Sequence, residues 1–151
     1  LDVSPKDIQA LILGGHGDTM VPLPRYTTVS GIPVTQLIDK EKLSAIIERT
    51  KVGGGELVGL MGTSAWYAPG AAAAQMVEAI ALDQNRIFPC AAWLTGEYGI
   101  NDLYVGVPVK LGKGGIKEII EIELTSEEKN LLDQSCTAVR GVFTDLERIM
   151  G

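Results

Sequence analysis

Ile8-Gln9-Ala10-Leu11-Ile12-Leu13 runs directly into Gly14-Gly15-His16-Gly17-Asp18-Thr19-Met20-Val21-Pro22, and the reading of this stretch decides the reading of the whole chain. The apolar run over residues 8–13 predicts a buried strand, since a short hydrophobic segment stopped by glycine fits a sheet interior. It carries the single histidine of the sequence into a glycine-flanked loop. Glycines let other groups approach closely and imidazole titrates near neutrality, so His16 is placed as a general acid/base could be. A lone histidine also has a structural reading, and the residues by themselves leave both open.

Composition narrows the class. At 151 residues with 46% hydrophobic and 21% charged content, the chain can bury a core as one folded domain. A formal net charge of −6 without a Lys/Arg cluster argues against nucleic acid and anionic membranes as partners. Cys90 and Cys136 are far apart and sit in no Cys-x-x-Cys pair, so both are expected to be buried thiols rather than parts of a disulfide or zinc site. Residues 57–77 carry no charge, yet Gly59, Gly62, Thr63, Ser64, Pro69, Gly70 and Gln75 divide them into two helices with a turn, not a membrane span.

Further along, Ser30-Gly31 between Thr27-Thr28-Val29 and Ile32-Pro33-Val34 predicts a short hairpin. Asp39 precedes a helical pattern with Leu43, Ile46 and Ile47 on one face, and by propensity Gly53-Gly54-Gly55 should end it. A second helix is expected over residues 68–82, with Pro69 in its first turn and Ala71 to Ala74 on a face that allows close packing. Strands over residues 86–94, 103–111 and 116–124 form an antiparallel set. Thr125 with Glu128 is a capping box for a last helix, whose buried face is expected to be Leu131, Leu132, Ser135, Cys136, Val139, Val142, Phe143, Leu146 and Ile149. The elements make an α+β fold, a largely antiparallel sheet packed with helices.

Gly14 to Pro22, Arg25-Tyr26-Thr27-Thr28-Val29-Ser30-Gly31-Ile32-Pro33, Thr63-Ser64-Ala65-Trp66-Tyr67-Ala68-Pro69 and Tyr104-Val105-Gly106-Val107-Pro108-Val109 occur in the order found in the lactate/malate dehydrogenase family, which the chain resembles. Within that family the likeness is to NAD-dependent malate dehydrogenases of the lactate-dehydrogenase-like type. The resemblance implies that residues 1–151 are the carboxyl-terminal substrate-binding and catalytic domain, with the NAD-binding Rossmann domain, and most cofactor-binding residues, outside this sequence. No Gly-x-Gly-x-x-Gly follows a strand here. It also implies that the first helix continues through the three glycines.

The resemblance further implies interconversion of malate and oxaloacetate with NAD, a reaction of the tricarboxylic acid cycle, with His16 as proton acceptor and donor. The carboxylate partner of that histidine and the substrate-gripping arginines would lie ahead of residue 1, leaving Asp18 to brace the loop and Arg25 a surface or interface role rather than a carboxylate clamp. Ser64, Ala68 and Pro69 would stand beside substrate and nicotinamide, although Ser64 or Thr63 could equally be a helix N-cap. Asp18, Glu97 and Asp102 are isolated, and no metal is expected. A cytoplasmic homodimer or homotetramer is implied. The alternatives are a lactate-dehydrogenase-type 2-hydroxy acid oxidoreductase and a noncatalytic oligomerisation module.

Overall fold

In a computed structural model, which describes residues 1–150, the run over residues 8–13 is not one strand. Ile8–Gln9 (β1) belongs to a three-stranded sheet with Thr28–Val29 (β4) and Ile32–Pro33 (β5), in the order β1-β4-β5. Ile12–Gly14 (β2) belongs to a five-stranded sheet, between Met20–Pro22 (β3) and Asn101–Gly112 (β7). Arg86–Thr95 (β6) and Gly115–Ile119 (β8) also pair with β7. All pairings are antiparallel. Hydrophobicity foretold a sheet but neither the change of sheet at Ala10-Leu11 nor the exposure of Ile8, Gln9 and Ala10, so that of the run only Leu13 is buried. The Leu11 peptide leaves both ladders because other groups satisfy it: its N–H donates to Thr27 Oγ1 at 3.4 Å, and its carbonyl accepts from Leu23 N–H at 2.9 Å. The hairpin at Ser30-Gly31 forms as read, with Thr28 opposite Pro33.

β7 is the spine of the core. Leu103, Val105, Val107, Val109 and Leu111 alternate inward along it and meet Leu13, Val21, Leu23, Ala92, Leu94 and Leu132. Two corrections concern the strand set. β8 stops at Ile119 instead of reaching residue 124, because the buried Tyr98 hydroxyl donates to Ile120 O at 2.8 Å and accepts from Ile122 N–H at 3.1 Å, drawing that backbone off the ladder. Cys90 is half-buried, whereas Cys136 is buried as expected, and desolvation pushes both thiols up from their ordinary value.

The first helix, Lys40–Met61 (α1), starts where Asp39 accepts from Lys42 N–H at 2.8 Å and runs unbroken through the three glycines. Gly62 closes it. Tyr67–Ala81 (α2) follows, with Ala79 its buried residue against the core. Trp66 occupies the N-cap position and no side chain caps it, so the N-cap reading of Thr63 and Ser64 is overturned. Pro69 lies in the first turn, where its missing N–H forgoes no helical bond. Among the described residues no helix is long and apolar enough to cross a membrane.

Ser126–Met150 (α3) begins with the expected capping box: Glu128 N–H donates to Thr125 Oγ1 at 3.2 Å, and Thr125 N–H to a Glu128 carboxylate oxygen at 2.8 Å. Its burial falls short of the expectation. Leu132, Ser135 and Cys136 are buried and Val139 is half-buried, but Leu131, Val142, Phe143, Leu146 and Ile149 are exposed. At 25 residues the helix is about 37 Å long, and its second half runs past the sheet that covers the first.

Candidate active site

β2 ends at Gly14, and the next backbone groups are held by other elements. Gly15 N–H donates to Ser135 Oγ on α3 at 2.8 Å. Gly14 packs against the same hydroxyl: a Cβ built on it would stand 2.5 Å from Ser135 Oγ, at φ +83°. A Cβ on Gly15 would collide with Thr19 Oγ1, and one on Gly106 of β7 would stand 2.6 Å from Gly14 O. The two glycines before the histidine are thus enclosed by α3, β7 and the loop's own turn. That enclosure makes a firm base for the next residue.

His16 follows in extended conformation, φ −97° and ψ 150°, and the chain then enters a 3-10 turn over Gly17–Thr19. The turn is braced by Thr19 Oγ1, which donates to His16 O at 3.3 Å. Asp18 is exposed and does not make the bracing bond expected of it; Thr19 makes it instead. The exposed His16 side chain borders a cavity of about 380 Å³ whose other wall is Ala138, Val139, Val142 and Phe143 of α3, with Asp18 and Thr19 at the loop side. Of the exposed apolar residues of α3, Val142 and Phe143 belong to that wall. This open space sets the imidazole, with Asp18 at the loop side, against apolar side chains, an arrangement able to exchange a proton with a small oxygen-bearing molecule.

Ser64, Ala68 and Pro69 are exposed, on the α1–α2 connection and in the first turn of α2. They line neither the His16 cavity nor the adjoining one of about 260 Å³ formed by Met20, Val21, Lys51, Leu131, Gln134 and others. Arg25 has the structural role expected of it. Its Nε and Nη2 donate to the two carboxylate oxygens of Glu128 at 3.0 and 2.7 Å, and Nη2 also reaches Glu123 O at 3.0 Å. That pair holds the Glu128 carboxyl below its usual range, with the hydrogen bond from Arg25 as the main cause. Ser135 and Gly106 carried no sequence signal as site residues; only the fold brings them to the loop.

The model of the lactate/malate dehydrogenase, alpha/beta C-terminal domain, matches residues 1–146. The chain belongs to this family. Malate dehydrogenase from Salinibacter ruber is 63% identical over 149 residues, covering 99% of this chain and 48% of that protein. The solved structure of the Salinibacter ruber enzyme superposes with a TM-score of 0.96 at 62% identity, over 99% of this chain and 49% of that one. Lactate dehydrogenase from Eimeria maxima, solved with NADH and oxamate, gives a TM-score of 0.93 at 42% identity, over 99% and 48% of the two chains. The chain spans about half the length of the relatives it matches. In those relatives the matched region is about half of a longer chain.

Proposed function

We propose that the chain is the substrate-binding half of an NAD-dependent malate dehydrogenase and that His16 exchanges the proton of the reacting hydroxyl. The observation that carries the reading is the exposed imidazole, mounted on an enclosed Gly14-Gly15 backbone beside a small apolar cavity. Malate is favoured over lactate by the 63% identity to a malate dehydrogenase against 42% to the lactate dehydrogenase. In oxidation an imidazole nitrogen of His16 takes the proton of the substrate's C2 hydroxyl; in reduction the imidazolium returns it to the carbonyl oxygen. A bound nicotinamide would supply the acceptor for the hydride that leaves C2.

The residues present fit the reacting end of that cofactor and not its phosphates. His16, the Ser64 hydroxyl and the small side chains of Ala68 and Pro69 are chemically suited to a substrate carboxylate or a nicotinamide carboxamide and ring, whereas the sequence holds no glycine-rich strand-to-helix turn for a pyrophosphate. Ser64, Ala68 and Pro69 enter on the family resemblance; nothing in the described geometry joins them to His16. The pyrophosphate site and the carboxylate that orients the imidazole are assigned to the preceding half of the longer protein. The same molecule is proposed to assemble as a homodimer or homotetramer, with the exposed alanine face of α2 in the contact.

His16→Asn in the full-length enzyme tests the central claim. An amide can hydrogen-bond but exchanges no proton near neutral pH, so kcat should fall by about 100- to 10,000-fold while NAD affinity stays within about twofold. Turnover close to that of the unmodified enzyme sinks the assignment.

A further inference from the structure

We propose that Ser135 is a positioning residue for His16, fixing the direction of the imidazole through the Gly15 amide; the proposal rests on the reading of His16 as the proton-exchanging group. Ser135 is a buried polar side chain, 3% exposed, within a helix face otherwise made of Leu132, Cys136 and Val139. Packing alone does not call for a hydroxyl there, since alanine or cysteine would fill the place. What the hydroxyl contributes is an acceptor, 2.8 Å from the N–H of the residue immediately before His16. The same oxygen occupies the space where a side chain on Gly14 would stand.

The loop needs such a fixed point. β2 ends at Gly14, so no ladder partner holds the Gly15 amide. Glycine has no side chain to bias its own backbone, so the contacts around Gly14 and Gly15 must set the peptide orientation, and Ser135 supplies the hydrogen bond to the Gly15 N–H. Without the Ser135 oxygen the Gly15 N–H must turn to find water, and the peptide that turns, Gly14–Gly15, is separated from the His16 Cα by only one further peptide. A small rotation there becomes a larger displacement at the far end of the imidazole, and catalysis falls steeply with misplacement: about 1 Å can cost on the order of a hundredfold. A serine with a purely structural role would instead lower stability and leave the turnover of the folded enzyme unchanged.

The test uses the full-length enzyme, at a temperature where circular dichroism shows every variant folded. Ser135→Ala and Ser135→Cys remove the strong acceptor at similar volume; both should lower kcat about tenfold or more, with NADH affinity and the KM for oxaloacetate within about twofold. Ser135→Thr, which keeps an oxygen on the same Cβ, should recover most of the loss. Introduced into His16→Asn, Ser135→Ala should cost nothing further, because the group it positions is gone. Unchanged kcat in both Ser135→Ala and Ser135→Cys, or the same loss with and without His16, would overturn the proposal. Near-normal turnover in His16→Asn alone would overturn the function assigned to His16 and this role with it, whereas a damaged His16→Asn beside a silent Ser135→Ala removes only the role of Ser135.

Discussion

Gly14 stands at φ +83° with the Ser135 hydroxyl where its side chain would be, so alanine at this position meets two penalties at once. The left-handed backbone costs a non-glycine residue about 1 kcal/mol or more, and the collision forces α3 or the loop to move. Gly14→Ala is therefore expected to destabilise the fold by about 2–4 kcal/mol, read as a lowered urea midpoint with little change in slope. A loss below about 0.5 kcal/mol would mean that the packing of α3 on the loop is looser than described. At this scale the placement of His16 in a turn after a strand was legible because its glycines and turn residues form one contiguous string. Ser135 was not, since its partner Gly15 lies 120 positions away and a serine among the apolar positions of a helix announces nothing about the N–H it meets.

At the scale of one element, α1 runs against propensity, and it does so with no buried residue of its own. Three consecutive glycines predict a stop, yet the helix spans Lys40–Met61, and Arg49 and Glu56 form a two-bonded ion pair at 3.0 and 2.6 Å across the glycine turn. Both charges are exposed, so that pair offsets little of the cost. Nothing stands within 4 Å of a Cβ built on Gly54. Gly54→Ala should stabilise the helix by about 0.5–1 kcal/mol, chiefly by restricting the unfolded chain, and a higher melting temperature would report it. A lower one would mean that some contact needs a bare backbone there. The capping box of α3 was legible because its two residues are three apart; the division of residues 8–13 between sheets was not, because a hydrophobic run says neither which strand it will pair with nor which of its residues the fold will cover, and here only Leu13 is buried.

The accessible surface of the whole molecule, 10012 Å², exceeds the roughly 7400 Å² that size scaling gives a compact monomer of 16.1 kDa. Much of the excess is apolar, as at Leu60 (78% exposed), Tyr67 (82%) and Ile149 (78%), and an apolar excess of this kind is normally covered. Sedimentation at several concentrations should find self-association, and Ala74→Glu, which puts a charge on the exposed alanine face of α2, should shift it toward monomer; a monomer throughout excludes α2 as the contact. The Arg25–Glu128 pair ties the segment after β3 to the start of α3 and adds a pH dependence. Because the Glu128 carboxyl is held below its ordinary 4.5, its share of stability is complete above that value and is lost as pH falls through the lowered one. Arg25→Met should flatten part of the stability loss on acidification below pH 4.5, measured by thermal unfolding across pH, while leaving the slope near neutrality unchanged. An unaltered acid limb would show that the pair contributes nothing.

Gly106 lies in the middle of a long strand and far along the chain from the loop, yet the carbonyl of Gly14 fills the place of its missing side chain. Any larger residue there must push against the backbone that carries His16. A survey of tolerated substitutions across this chain would accordingly find Gly106 nearly as intolerant as the histidine, and a reader of such a survey would credit it with chemistry. Its role is vacancy: the strand yields the volume that lets the loop come down, and a constraint on the loop would be recorded at a position that is no part of it.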